Sequence, residues 1–183
     1  MLIPQLEKTR GKVIEIHGSP NIGKTKEVLE WLNQEQKLND ILSLYIDTDN
    51  KIQESGEFKK LNKSNIWLGF SLDSKALDTV CLMAPYLDVV VLDNFTVCKE
   101  NPWKILSRFQ KIARAYSISV IVVNQNRNII NFKTKNFEEK PYFFNAIEQY
   151  CDIIIDFDTK RIIEKSAQIL DSLIEDLFEG MVS

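Results

Sequence analysis

Gly18-Ser19-Pro20-Asn21-Ile22-Gly23-Lys24-Thr25 is the most informative stretch of this chain. It matches G-x-x-x-x-G-K-[ST] at every fixed position. The run Lys12-Val13-Ile14-Glu15-Ile16-His17 precedes it and reads as a strand. Residues 24–36 follow it and read as a helix, with Val28, Leu29, Trp31 and Leu32 on one apolar face. Glycines let a backbone turn tightly and come close to a ligand, and the N–H groups at a helix start face an anion. The whole chain has 6 glycines and places two of them here, so a chance match in a glycine-rich loop is the weaker reading. The loop Gly18, Ser19, Pro20, Asn21, Ile22, Gly23, Lys24 and Thr25 is therefore expected to cradle phosphates. Lys24 would reach the β- and γ-phosphates, and the Thr25 hydroxyl would bind Mg²⁺.

Outward from the loop, strand-like and helix-like pieces alternate. Residues 41–47 (ILSLYID), 65–70 (NIWLGF), 88–93 (DVVVLD), 118–124 (ISVIVVN) and 152–156 (DIIID) read as strands. Helices are expected over residues 73–83 and 102–116. The second begins with Pro102, whose missing N–H does little harm in a first turn. Continuous apolar strands between helices predict an α/β fold: a mostly parallel sheet with helices on both faces. Two segments break this rhythm. Residues 127–145 are polar and aromatic without periodicity, and long for a plain connection. Residues 166–178 form an amphipathic pattern and are expected to be a helix covering the sheet edge.

The 183 residues are 44% apolar and 27% charged with a net charge of -3, which predicts one folded domain over 1–183 and excludes a disordered chain. No apolar run approaches the ~18 residues of a membrane span. The first residues lack the basic and apolar regions of a signal peptide, so a cytoplasmic location is expected. Cys81, Cys98 and Cys151 are far apart and there is one histidine, a poor basis for a zinc site. Cys81 and Cys151 are expected to pack as small apolar groups, and His17 to be hydrogen-bonded rather than catalytic. The weakly acidic balance means that any nucleic-acid contact must come from a local patch.

A phosphate loop needs an acid at a nearby strand end to hold the magnesium shell, and Asp93 after Val89-Val90-Val91-Leu92 supplies it. Asp47 and Asp49, in Tyr45-Ile46-Asp47-Thr48-Asp49-Asn50, could orient an attacking water or merely build an Asp-rich turn. Arg127, Lys133, Lys135 and Lys140 interleave with Phe132, Phe137, Tyr142, Phe143 and Phe144. Cations and aromatic faces are the ingredients of single-strand binding. The same aromatics could instead fold back on the sheet. The turn at residues 96–104, with Lys99, Trp103 and Lys104, is a second candidate for nucleic acid, although Trp103 reads more readily as a packing residue.

These segments together resemble the RecA recombinase family, over about residues 11–160 in consistent order. The strand and loop from Val13 to Thr25 are similar to its nucleotide-binding segment, and Val90-Val91-Leu92-Asp93-Asn94 to its magnesium-associated strand. Tyr45 to Asn50 resembles the segment carrying its catalytic carboxylate, which falls on Asp49 where the family usually has Glu. Val120-Ile121-Val122-Val123-Asn124-Gln125 resembles the strand ending in its γ-phosphate-sensing glutamine, here Gln125. The resemblance implies a RecA-like ATPase core with ATP and Mg²⁺ as cofactors, Lys24, Asp49 and Gln125 as catalytic residues, and Thr25 and Asp93 at the metal. It implies action on single-stranded DNA in recombination or repair, as a homo-oligomer or with a protein partner. Residues 126–145 hold no glycine where the family's second DNA loop is rich in it, and the N-terminal extension is about ten residues long. A minimal or divergent member is expected. Two alternatives stand beside it: a non-catalytic, ATP-gated partner of a recombination or replication complex, and a small-molecule kinase. The kinase is disfavoured because Arg127 is the one arginine between Tyr116 and Lys160, too few for a phosphate-closing lid.

Overall fold

A computed structural model of the chain describes residues 1–98, 100–130 and 137–165. Its elements in chain order are α1 (Leu6–Thr9), β1 (Val13–His17), α2 (Lys24–Asn39), β2 (Ser43–Asp47), α3 (Gly56–Lys59), β3 (Ile66–Gly69), α4 (Ser74–Met83) and β4 (Val89–Asp93). They continue with α5 (Pro102–Tyr116), β5 (Ser119–Val123), β6 (Asn126–Ile130), β7 (Phe137–Pro141), α6 (Phe144–Tyr150), β8 (Ile153–Asp156) and β9 (Arg161–Glu164).

Among the described residues the main sheet has the order β3-β2-β4-β5-β1-β8-β9. Every neighbouring pair runs parallel except β8 and β9. Strands without polar alternation are buried on both faces, and β4 shows why. Val89 and Val91 enter one core with Val28, Trp31 and Leu32 of α2. Val90 and Leu92 enter the other with Leu77 of α4 and Ile105, Phe109 and Ile112 of α5. The leftward crossovers from β1 to β2 and β2 to β3 carry α2 and α3 on the first face. The rightward ones from β3 to β4, β4 to β5 and β5 to β8 carry α4, α5 and α6 on the second. Reversing direction while changing face is what a single crossover hand requires.

Local chemistry sets the element ends. Asn101 caps α5 by accepting from Trp103 N at 3.0 Å and Lys104 N at 3.4 Å, and Pro102 opens the helix. The helix stops at Ser117, which takes the left-handed conformation at φ 55°. Its residues Ile105, Leu106, Phe109, Ile112 and Ala113 recur at helical spacing and are buried.

The expected strands and long helices are present, with ends shifted by a few residues. Within residues 127–145, too long for a plain connection, the described residues hold further elements. β6 and β7 pair antiparallel as a two-stranded ribbon outside the main sheet, and α6 begins at Phe144. A ribbon lying mostly against solvent needs no apolar alternation, so its sequence carries no period. The same reason hides β9, whose four residues are all exposed. The helix expected over residues 166–178 lies outside the described residues. Cys151 is buried and Cys81, half-buried, packs against the core, both as expected; the Cys81 sulfur also lies 3.5 Å from the Arg108 guanidinium. Trp103, expected to pack, is 41% exposed. No helix among the described residues is long and apolar enough to cross a membrane.

Phe109 is fully buried between α5 and the sheet. Phe109→Ala is expected to cost about 3–5 kcal/mol of stability, measured by urea unfolding.

Candidate functional site

The site is built at the carboxyl ends of the parallel strands, around a cavity of about 470 Å³. The loop between β1 and α2 forms one wall. Gly23 caps α2 at φ 99°, a left-handed conformation that strains any side chain, and no side chain caps the helix. The first N–H groups of an α-helix have no partner within it. Gly23, Lys24 and Thr25 line the cavity at that uncapped end. A Cβ on Gly18 would meet Ile22 Cδ1 at 2.6 Å, Asp158 Oδ2 at 3.1 Å and Phe157 Cβ at 3.2 Å, so the loop closes on itself only with glycine there.

Lys24 is 6% exposed, and its Nζ donates to the carbonyls of Gly18 at 2.9 Å and Ser19 at 2.6 Å. Burial lowers its pKa, opposed by the charges of Asp158, Asp93 and Glu15. The Thr25 hydroxyl donates to Asp93 Oδ1 at 3.2 Å and Oδ2 at 3.0 Å. Asp93 also accepts from the Tyr45 hydroxyl at 2.6 Å. Burial raises the Asp93 pKa; the Tyr45 and Thr25 bonds lower it, and the charge of Asp47 raises it again. Loop lysine, loop threonine and strand-end carboxylate thus meet at one place, although Thr25 and Asp93 are 68 positions apart. An anion cradle beside a hydroxyl and a carboxylate fits a polyphosphate with a hard cation, which takes oxygen ligands.

The two aspartates after β2 divide their roles. Asp47 is 3% exposed, and its carboxylate accepts from the backbone N–H of Asp49 at 3.1 Å, Lys51 at 2.6 Å and Ile52 at 2.7 Å. It builds the turn. Asp49 is exposed, lines the cavity and accepts from Asn94 Nδ2 at 2.8 Å.

Gln125 reaches the cavity because β5 lies between β1 and β4, so its carboxyl end falls between the loop and Asp93. Asn124, which the sequence reading passed over, organises that end. Its Nδ2 donates to Tyr142 O at 2.8 Å and Glu15 Oε1 at 3.3 Å, while its Oδ1 accepts from Gln125 N at 2.9 Å and Thr96 Oγ1 at 3.3 Å. A polar residue ending an apolar strand was the available signal, the same one that singles out Asp93. Tyr45 and Asp158 carried no such signal. Asp158, in the turn between β8 and β9, accepts from Ser19 N at 2.8 Å, Ser19 Oγ at 3.2 Å and Asn126 Nδ2 at 3.1 Å.

His17 is hydrogen-bonded, as expected: its Nδ1 lies 2.6 Å from the Glu15 carboxylate. Burial alone would lower the His17 pKa, but the Glu15 bond and charge, with Asp156 and Asp158, outweigh it and hold the imidazole above 6.5. Burial raises the Glu15 carboxyl, partly offset by His17 and Asn124.

The ribbon's cations are partly engaged. The Arg127 guanidinium lies 5.3 Å from the Tyr142 ring centroid. Lys140 Nζ lies 4.7 Å from that of Phe144 and 3.5 Å from Glu138. Phe143 packs edge-on against Phe95 at 5.6 Å, so this aromatic folds back on the core, whereas Phe137 is 76% exposed. Phe132, Lys133 and Lys135 lie outside the described residues, as does Lys99.

Neither a family model nor a curated protein matches this chain.

Two outcomes are expected. Asp47→Ala leaves three backbone donors without their acceptor and costs about 2–4 kcal/mol, whereas Asp49→Ala changes stability by less than about 0.5 kcal/mol; urea unfolding of both variants checks the division of roles. A histidine held above its ordinary value adds stability at low pH and loses it as the pH rises through the raised value. Unfolding free energy should therefore fall as the pH rises from 6.5, and His17→Gln should make that fall shallower in a pH series of urea melts.

Proposed function

We propose that this chain is a RecA-like core that binds ATP with Mg²⁺ and hydrolyses it, acting on single-stranded DNA in recombination or repair. The observation that carries the nucleotide part is the meeting of the Thr25 hydroxyl with both oxygens of Asp93 beside the buried Lys24. In this reading Lys24 and the uncapped start of α2 hold the phosphates, and Thr25 and Asp93 hold the metal. Bound Mg²⁺ would supply charge neutralisation at the phosphate oxygens.

Asp49 would orient water, with its carboxylate positioned by Asn94 Nδ2. Gln125 would face the terminal phosphate from the end of β5. The DNA part is supported by the ribbon next to the cavity. Its first residue, Asn126, donates its N–H to the Gly18 carbonyl at 3.1 Å, so ribbon and phosphate loop share a backbone contact. A second reading, an ATP-gated module without turnover, is favoured by the shorter Asp at position 49.

Calorimetry with Mg-ATP is expected to give saturable heat for the wild type. Lys24→Ala should remove it. ATP turnover should rise when single-stranded DNA is added. Absence of binding by folded wild-type protein overturns the proposal, binding without turnover selects the gated module, and turnover indifferent to DNA removes the DNA part.

A further inference from the structure

The cavity poses a charge problem for a polyanion. Its lining includes the acidic residues Asp47, Asp49, Glu57 and Asp93. Against them stand three lysines, Lys24, Lys26 and Lys51. A triphosphate adds several negative charges, so each cation facing it matters, and the three lysines are not equivalent. Lys24 already belongs to the loop. Lys26 is exposed and lies 3.9 Å from Glu30 on the helix surface. The Lys51 side chain makes no hydrogen bond and no ion pair among the described residues, yet its residue lines the cavity.

Its backbone, by contrast, is firmly placed. The Lys51 N–H donates to the buried Asp47 carboxylate at 2.6 Å, and Ile52, 4% exposed, anchors the next position in the core. Asn50 turns the chain in the left-handed conformation at φ 56°. The same short turn carries Asp49, and Asp47 at its base sits opposite Asp93 in the sheet register. A buried acid therefore fixes a turn that carries both Asp49 and Lys51, and both residues line the cavity.

We propose that Lys51 is a phosphate-contacting residue: its ammonium group binds the terminal phosphate of the nucleotide beside Asp49, as a second cation opposite Lys24. This rests on the nucleotide reading above and adds to Gln125 a second residue that distinguishes a triphosphate from a diphosphate. A cation at the terminal phosphate has nothing to hold once that phosphate is gone. The preference for triphosphate should then depend on the Lys51 side chain, while the turn, held through its backbone, does not.

The test is calorimetry on the full chain, with Mg²⁺ complexes of a non-hydrolysable ATP analogue and of ADP, for wild type, Lys51→Ala and Lys51→Arg. Lys51→Ala is expected to weaken the triphosphate analogue by about tenfold, the loss of one charge-assisted hydrogen bond, and ADP by less than about twofold. Lys51→Arg should keep most of the discrimination. Equal weakening of both nucleotides, or no change in either, overturns the assignment. Should Lys51→Ala not fold, Lys51→Gln retains the stem and reads the same ratio. Wild-type protein that binds neither nucleotide refutes the nucleotide reading itself, whereas wild-type binding with an unchanged ratio in the variants refutes only the role of Lys51.

Discussion

Everything in the site depends on Asp93 being held, buried, between hydroxyl donors. Its carboxylate takes bonds from Tyr45 on the neighbouring strand and from Thr25 on the helix that follows the glycine loop. A buried carboxylate without such partners would be costly, and would take up a proton rather than keep its charge. The hydroxyls lower the cost and also aim the group at the cavity. The strand order makes this possible. Neighbouring strands lie about 4.8 Å apart, so β1 and β4, two positions from each other, leave a gap of roughly 10 Å. The first turn of α2 spans that gap from one side, and the end of β5 fills it from below with Asn124 and Gln125.

A second layer of polar contacts lies behind the first. Glu15 is fully buried on the strand that leads into the loop and meets both His17 and Asn124. Asn124 in turn holds Gln125 and the Tyr142 carbonyl at the end of the ribbon. Asp158 closes the circuit on the far side, joining Ser19 of the loop to Asn126 of the ribbon. Loop and ribbon are therefore tied at two points, by the Asp158 side chain and by the Asn126 N–H on the Gly18 carbonyl. Any shift of the loop would be felt where the ribbon leaves β5.

Much of this was legible along the chain. The glycine loop, its flanking strand and helix, and the apolar strands announced an α/β sheet, because a strand covered on both faces cannot alternate. Asp93 could be singled out because four apolar residues precede it. The ribbon was not legible, since β6 and β7 face solvent and bear no period, and β9 was missed for the same reason. The split between Asp47 and Asp49 was also hidden: both are aspartates in one turn, and burial separates them.

Local chemistry along the chain thus specified the glycine loop, the parallel sheet and the candidate acids, since each is a matter of neighbouring residues and their spacing. The burial of Asp47 and the exposure of Asp49 were settled by packing. The order of strands in the sheet and the contacts made by Tyr45, Asn124 and Asp158 belong with them. Those contacts join residues far apart along the chain, and only the assembled sheet brings them within hydrogen-bonding distance.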